Sequence, residues 1–203
     1  MGNSVFLVAV LGWHFFPRQT NPVYDLATYV VFFGLFPVLA IRLIVKQSLQ
    51  SFGFGWGKWK QGLLLMIIGW LMFGSVTLVL FRTTHPDFEL FAPASIRTSF
   101  PLLLVYLGVM AVIFAGIEIL FRGLLLSVWA RCIGVWAILF QAMIFLGLSI
   151  SRGLPATLAE WFVVVSVPLW AGCVFWRSQS LWITFLFSFG TGIILSSLAL
   201  IFL

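Results

Sequence analysis

Ile117-Glu118-Ile119-Leu120-Phe121-Arg122-Gly123 sets an acid and a base one helical turn apart inside an otherwise apolar run. A carboxylate is costly in lipid, so Glu118 has to face protein or water and find a partner. The i, i+4 spacing, with the acid nearer the N-terminus, is the favourable order for an ion pair on one helix face. Two roles are open to Glu118 and Arg122: an acid/base or ligand-binding group, or a structural ion pair that pins helices together. A carboxylate that activates water needs a second polar group beside it. No other Asp, Glu or His stands mid-span in the C-terminal half, and Glu160 lies near the start of its run.

The composition around this stretch sets the class. Of 203 residues, 63% are hydrophobic and only 8% charged, and the mean hydropathy is +1.17. A soluble domain carries roughly 25% charged residues, so the expectation is an all-α, polytopic transmembrane bundle forming a single integral membrane domain over residues 1–203. Strand-like alternation is absent, which argues against an outer-membrane barrel. The net charge of +6 does not point to nucleic acid, because the bases sit at the ends of apolar runs, where membrane topology explains them.

About six spans follow, at Tyr24–Val45, Gln61–Phe81, Ser99–Phe121, Gly134–Ile150, Thr157–Trp176 and Leu181–Leu203. Leu124–Ala130 extends the third of these towards Arg131. The run Val5–Phe16 is short for a span of ~20 residues and reads as an additional N-terminal apolar helix. Arg42, Lys46, Lys58, Lys60, Arg122, Arg131 and Arg177 fall on one side, and Arg18, Arg82, Arg97 and Arg152 on the other. The positive-inside rule places the first group in the cytoplasm, and a bacterial inner membrane is the expected location. The loop holding His85, Asp87 and Glu89 then faces outward.

The remaining reactive residues form no cluster. Cys132 and Cys173 lack a CxxC spacing and read as free thiols. His14, in Trp13-His14-Phe15-Phe16, could offer an imidazole to a pigment or haem iron, but such a residue is more often part of an interfacial aromatic belt. His14 and His85 bring no further ligands for a metal. No cofactor or metal is expected. The start lacks a basic signal-peptide n-region, and Phe6 stands where a myristoylation site needs Ser or Thr.

The segment from Phe114 onwards resembles the CAAX protease and bacteriocin-processing family (CPBP, or ABI) of intramembrane proteases. Glu118, Phe121, Arg122 and Gly123 match the second Glu and the FRG of its motif EExxFRGxL, while Ile117 stands at the first Glu. Phe145-Leu-Gly-Leu-Ser149 fits the spacing of FxxxH with serine for histidine. Arg177-Ser-Gln-Ser180-Leu181-Trp182 matches the lead-in to HxxxN, where Ser188 and Gly192 replace histidine and asparagine. Ser51–Gly62 is similar to the loop before one of the family's spans.

The resemblance implies a fold whose reacting groups are gone. In the family, glutamate and histidine activate a water, and histidine and asparagine stabilise the oxyanion. Isoleucine has no exchangeable proton, glycine has no side-chain donor, and an unactivated serine is a poor base. Losing one oxyanion donor alone costs ~10²–10³ in rate. Ser149 or Ser188 would need a nearby base to serve as a nucleophile, and none is visible.

Three functions stay open. The first is a catalytically inactive CPBP-like protein that binds other transmembrane proteins as an accessory or scaffold subunit. The second is an active intramembrane protease using Glu118 with non-standard partners. The third is a binder of lipid, prenyl chain, peptide or pigment in the former substrate cavity. Ser188, Gly192 and Ser196 repeat every four residues, a small-xxx-small seam that lets membrane helices approach closely.

Overall fold

Long apolar runs have no water to satisfy their backbone in a bilayer, so each must close its hydrogen bonds within itself as a helix. In the computed structural model, which describes residues 26–27, 29–84, 100–151, 155 and 157–202, every apolar run within that range is helical and no strand occurs among the described residues. We number the helices α1, in consecutive segments Val30–Leu35, Phe36–Ala40 and Ile41–Val45; α2, Trp59–Thr84; and α3, Phe100–Ile133. They continue with α4, Trp136–Ile150; α5, Leu158–Ser178; and α6, Leu181–Phe202. The run Val5–Phe16, His14, His85, Asp87 and Glu89 lie outside the described residues.

The chain is a helical integral membrane protein. By length and composition, four of the described helices can cross a bilayer: α2, α3, α5 and α6. Helix α4 is shorter than a span needs. Helix α4 has 15 residues, about 22 Å at ~1.5 Å per residue, against ~30 Å of hydrocarbon. It starts late because Gly134, at φ +61°, ends α3 and turns the chain. Helix α3, in contrast, runs for 34 residues, about 50 Å, and confirms the expected extension towards Arg131.

Helix α6 is the centre of the bundle, packed on α2, α3 and α5, while α5 also packs on α2 and α4. Half of its apolar window is buried, at 50%, against 6% for that of α3. The outward faces of α2 and the first half of α3 present Leu64, Leu71, Val79, Phe100, Leu104 and Val105, as expected where the surroundings are lipid. One core joins Met66 and Phe73 of α2 to Ala171 and Val174 of α5 and to Ile183 and Phe187 of α6. Another joins Phe33 and Ile41 of α1 to Leu120, Phe121 and Leu124 of α3.

Tryptophan indoles tie these helices together through backbone carbonyls. Trp70 donates to the Phe187 carbonyl at 3.1 Å, Trp170 to Leu65 at 3.0 Å, and Trp182 to Phe54 at 3.1 Å. Room for the first of these rings comes from Gly190, where an added Cβ would stand 2.3 Å from Trp70 Cζ2.

At one end of the bundle the loop between α1 and α2 docks on the α5–α6 turn. Lys58 N–H donates to Ser178 O and Leu181 N–H to Gly53 O, each at 2.7 Å. Arg131 at the end of α3 donates to Gln47 at 2.8 Å. Arg42, Lys46, Lys58, Lys60, Arg131 and Arg177 therefore share this end, and Arg82 closes α2 at the other. Arg122, grouped with the first set from sequence, does not belong at an interface. It is 2% exposed inside α3, its charge answered within the bundle.

The Trp70 contact gives a direct test. Gly190→Ala should lower stability by about 1–3 kcal/mol, the range for overpacking a close contact. Gly74→Ala, whose Cβ meets nothing nearer than 3.9 Å, should leave the thermal midpoint in mild detergent unchanged.

Candidate functional site

Glu118 is the last residue of the regular first part of α3, and from Ile119 to Leu126 the helix winds in wider, i→i+5 turns. Ser127 reads the same register with its side chain, donating to the Arg122 carbonyl five residues back at 3.1 Å. Such wide turns are rare and concentrate at functional sites. Every residue from Leu120 to Leu126 is buried.

Glu118 and Arg122 form the ion pair that their spacing suggested, Nη1 to Oε1 at 3.2 Å, with side chains 1% and 2% exposed. Ser188 of α6 donates its hydroxyl to the same Oε1 at 2.6 Å. Thr184, one turn earlier on α6, lies beside the carboxylate and donates to carbonyls of its own helix. Among the described residues no hydrogen bond is made to Glu118 Oε2.

The other end of the pair reaches α5. Arg122 Nη2 donates to the Pro168 carbonyl at 3.4 Å, and Gln141 Nε2 of α4 donates to the same oxygen at 2.9 Å. Proline inside a helix removes one backbone N–H; here its carbonyl gathers donors from α3 and α4. Glu118, Arg122, Ser188, Pro168 and Gln141 thus make one buried chain of polar groups across four helices.

Gln141, Pro168 and Thr184 did not emerge from the sequence. The search there was for ionisable residues, whereas a lone glutamine in the apolar run Trp136–Ile150 and a proline within Leu158–Ser178 were the available signals.

The four positions that depart from the family motifs fall in three places. Ile117 and Ser149 meet in a cleft of about 50 Å³ with Tyr29, Phe33, Phe121, Phe145 and Leu148. Ser149 spends its proton on the Phe145 carbonyl of its own helix at 2.9 Å. Ser188 holds Glu118. At Gly192 an added Cβ would lie 2.6 Å from Met110 Cε and 2.8 Å from Phe114 Cε2.

The seam of Ser188, Gly192 and Ser196 therefore faces α3. Ser196 Oγ lies 3.5 Å from the Tyr106 hydroxyl, Gly192 admits Met110 and Phe114, and Ser188 meets Glu118. Three small residues of α6 thus meet four residues of α3 spaced four apart, with Gly192 making room for two of them.

Glu160, near the start of α5, is 3% exposed, and its backbone N–H is received by the Thr157 side chain at 3.3 Å as a helix cap. Cys132 and Cys173 are free thiols. Among the described residues no group of three His, Cys, Asp or Glu could hold a metal.

Residues 98–194, from the start of α3 into α6, match the family model described as type II CAAX prenyl endopeptidase, Rce1-like. No curated protein and no solved structure is significantly similar to the chain.

The pair should behave as a unit. Arg122→Met leaves a buried carboxylate without its counter-charge and should cost about 3–5 kcal/mol. Adding Glu118→Leu should recover much of that loss, so a double-mutant cycle on thermal midpoints should give a large coupling.

Proposed function

We propose that this chain, whose residues 98–194 match the family model of type II CAAX prenyl endopeptidases, Rce1-like, no longer hydrolyses peptides and works by binding, as an accessory or scaffold subunit of a larger membrane protein complex. The observation that carries this reading is the use made of Glu118. Its Oε1 accepts from both Arg122 and Ser188, and the residue is 1% exposed. A general base must reach a water and pass on its proton; a carboxylate held between a guanidinium and a hydroxyl is instead a fastening between α3 and α6.

The neighbouring positions support the same reading. Where the family pattern has its water-activating glutamate stands Ile117, lining an aromatic cleft with Ser149. Gly192 is filled against Met110 and Phe114 and offers no side-chain donor to an oxyanion. With base and donors replaced together, the losses compound beyond the ~10²–10³ of a single oxyanion donor.

The end bearing Arg42, Lys46, Lys58, Lys60, Arg131 and Arg177 would face the cytoplasm of a bacterial inner membrane, on the positive-inside rule.

The test is purification from the native membrane in mild detergent, followed by assay on a farnesylated CAAX peptide. Cleavage should stay at the background rate for the wild type and for Glu118→Gln alike, and a membrane protein should co-migrate in fixed stoichiometry. Turnover by the wild type that disappears in Glu118→Gln would establish an enzyme working through Glu118 with non-standard partners, and would overturn the proposal.

A further inference from the structure

Exposed cations gather at the end of the bundle where the α1–α2 loop meets the α5–α6 turn: Arg42, Lys46, Lys58, Lys60, Arg131 and Arg177. None of them makes an ion pair among the described residues. Of the five acids in the chain, Glu118 is enclosed with Arg122, and Glu160 stands at the start of α5, the opposite end of that helix from Arg177. Asp25, Asp87 and Glu89 lie outside the described residues. Among the described residues, this end therefore carries cations with no acid beside them.

The fold accounts for the arginines. Arg42, Arg131 and Arg177 lie in the last turns of α1, α3 and α5, where the negative end of the helix dipole favours a cation. Lys58 and Lys60 stand in the opposite setting. They flank Trp59, the first residue of α2, whose first turn holds no acid, and there the dipole is positive and repels them. The backbone holds them in place: the Lys58 N–H donates to Ser178 O at 2.7 Å, which brings Lys58 beside the turn that follows Arg177. The approach depends on Gly57, at φ +52°, where an added Cβ would run into the Ser178 carbonyl. The compensating charge has to come from outside the chain.

The indoles around the lysines decide what carries that charge. Trp56, Trp59 and Trp136 are 64%, 46% and 64% exposed, and Lys60 Nζ lies 5.7 Å from the Trp59 ring centroid. Trp136 opens α4 just past the Gly134 turn, next to the end of α3 that bears Arg131. Free phosphate or an acidic protein segment would be met by the cations alone and would leave these rings in water. Tryptophan at the ends of spanning helices settles at the head-group level of a bilayer, where an acidic leaflet attracts adjoining lysines and arginines. Cations and indoles together fit one partner, a surface of acidic phospholipid.

We propose that this end of the bundle binds acidic phospholipid, with Lys58, Lys60 and Arg177 meeting lipid phosphate groups while Trp56, Trp59 and Trp136 lie among the head groups. The surface serves whether or not the protein hydrolyses peptides, since it lies on a loop and helix ends and not in the Glu118 network.

The test is native mass spectrometry of the full-length protein in mild detergent, titrated with phosphatidylglycerol or with phosphatidylcholine of the same acyl chains. Phosphatidylglycerol should bind at least about twentyfold more tightly, and Lys58→Gln/Lys60→Gln should remove most of that preference, about fivefold for each lysine. Arg82→Gln, at the other end of α2, should retain it. Equal affinity for the two lipids in the wild type would overturn the proposal, whether or not the variants fold. So would a preference that survives in folded Lys58→Gln/Lys60→Gln, or one that Arg82→Gln loses equally. Displacement of the lipid by glycerol phosphate at equal concentration would assign the patch to a soluble phosphate, and tighter binding of a heptaglutamate peptide would assign it to an acidic protein segment. Either result also overturns the proposal.

Discussion

One carboxylate oxygen organises the middle of this bundle. Glu118 Oε1 is shared by a guanidinium from its own helix and a hydroxyl from α6, at 3.2 Å and 2.6 Å. In a low-dielectric interior an ionised group is tolerable only when it is paired and hydrogen-bonded, so α6 must keep Ser188 facing α3. Through Arg122 the same condition reaches the Pro168 carbonyl of α5, where Gln141 brings in α4. The helices are thereby fixed in rotation as well as in distance, which apolar packing in lipid does poorly because lipid tails are as apolar as leucine.

Close packing supplies the rest. The seam of small residues on α6 brings α3 near enough for Ser188 to reach Glu118, with Gly192 lying against Met110 and Phe114. On the opposite side, Gly190 accepts the ring of Trp70, whose indole then ties α2 to the α6 backbone. The polar chain and the small-residue contacts therefore depend on each other: widening one would stretch the other.

The parts of this arrangement legible in the sequence are those that depend on spacing along one helix. Glu118 and Arg122, four apart with the acid first, declared their pairing, and uninterrupted apolar runs declared the helices. What comes from another helix was hidden. Nothing local marks Ser188 as the residue that meets Glu118, or the Pro168 carbonyl as the meeting point for Arg122 and Gln141. The wide turns of Ile119–Leu126 were also invisible, because no residue in that stretch marks a break in the helix. The break at Gly134 was legible, since the expected run Gly134–Ile150 begins there, and the helix itself starts two residues later at Trp136. The resemblance to intramembrane proteases was readable because the motif lead-ins around Phe121-Arg122-Gly123 and Leu181-Trp182 are present in the sequence.

The encirclement of Leu120–Leu126 bears on how the protein is made. A polypeptide enters the membrane from its N-terminus, so α3 must be accommodated before Ser188, Pro168 or Gln141 has been synthesised. Each lone charge at the centre of a nascent span would add ~2.5–3.5 kcal/mol to the cost of insertion. By carrying acid and base one turn apart on a single segment, α3 arrives already neutralised, and the later helices find a dipole to close around instead of a bare ion.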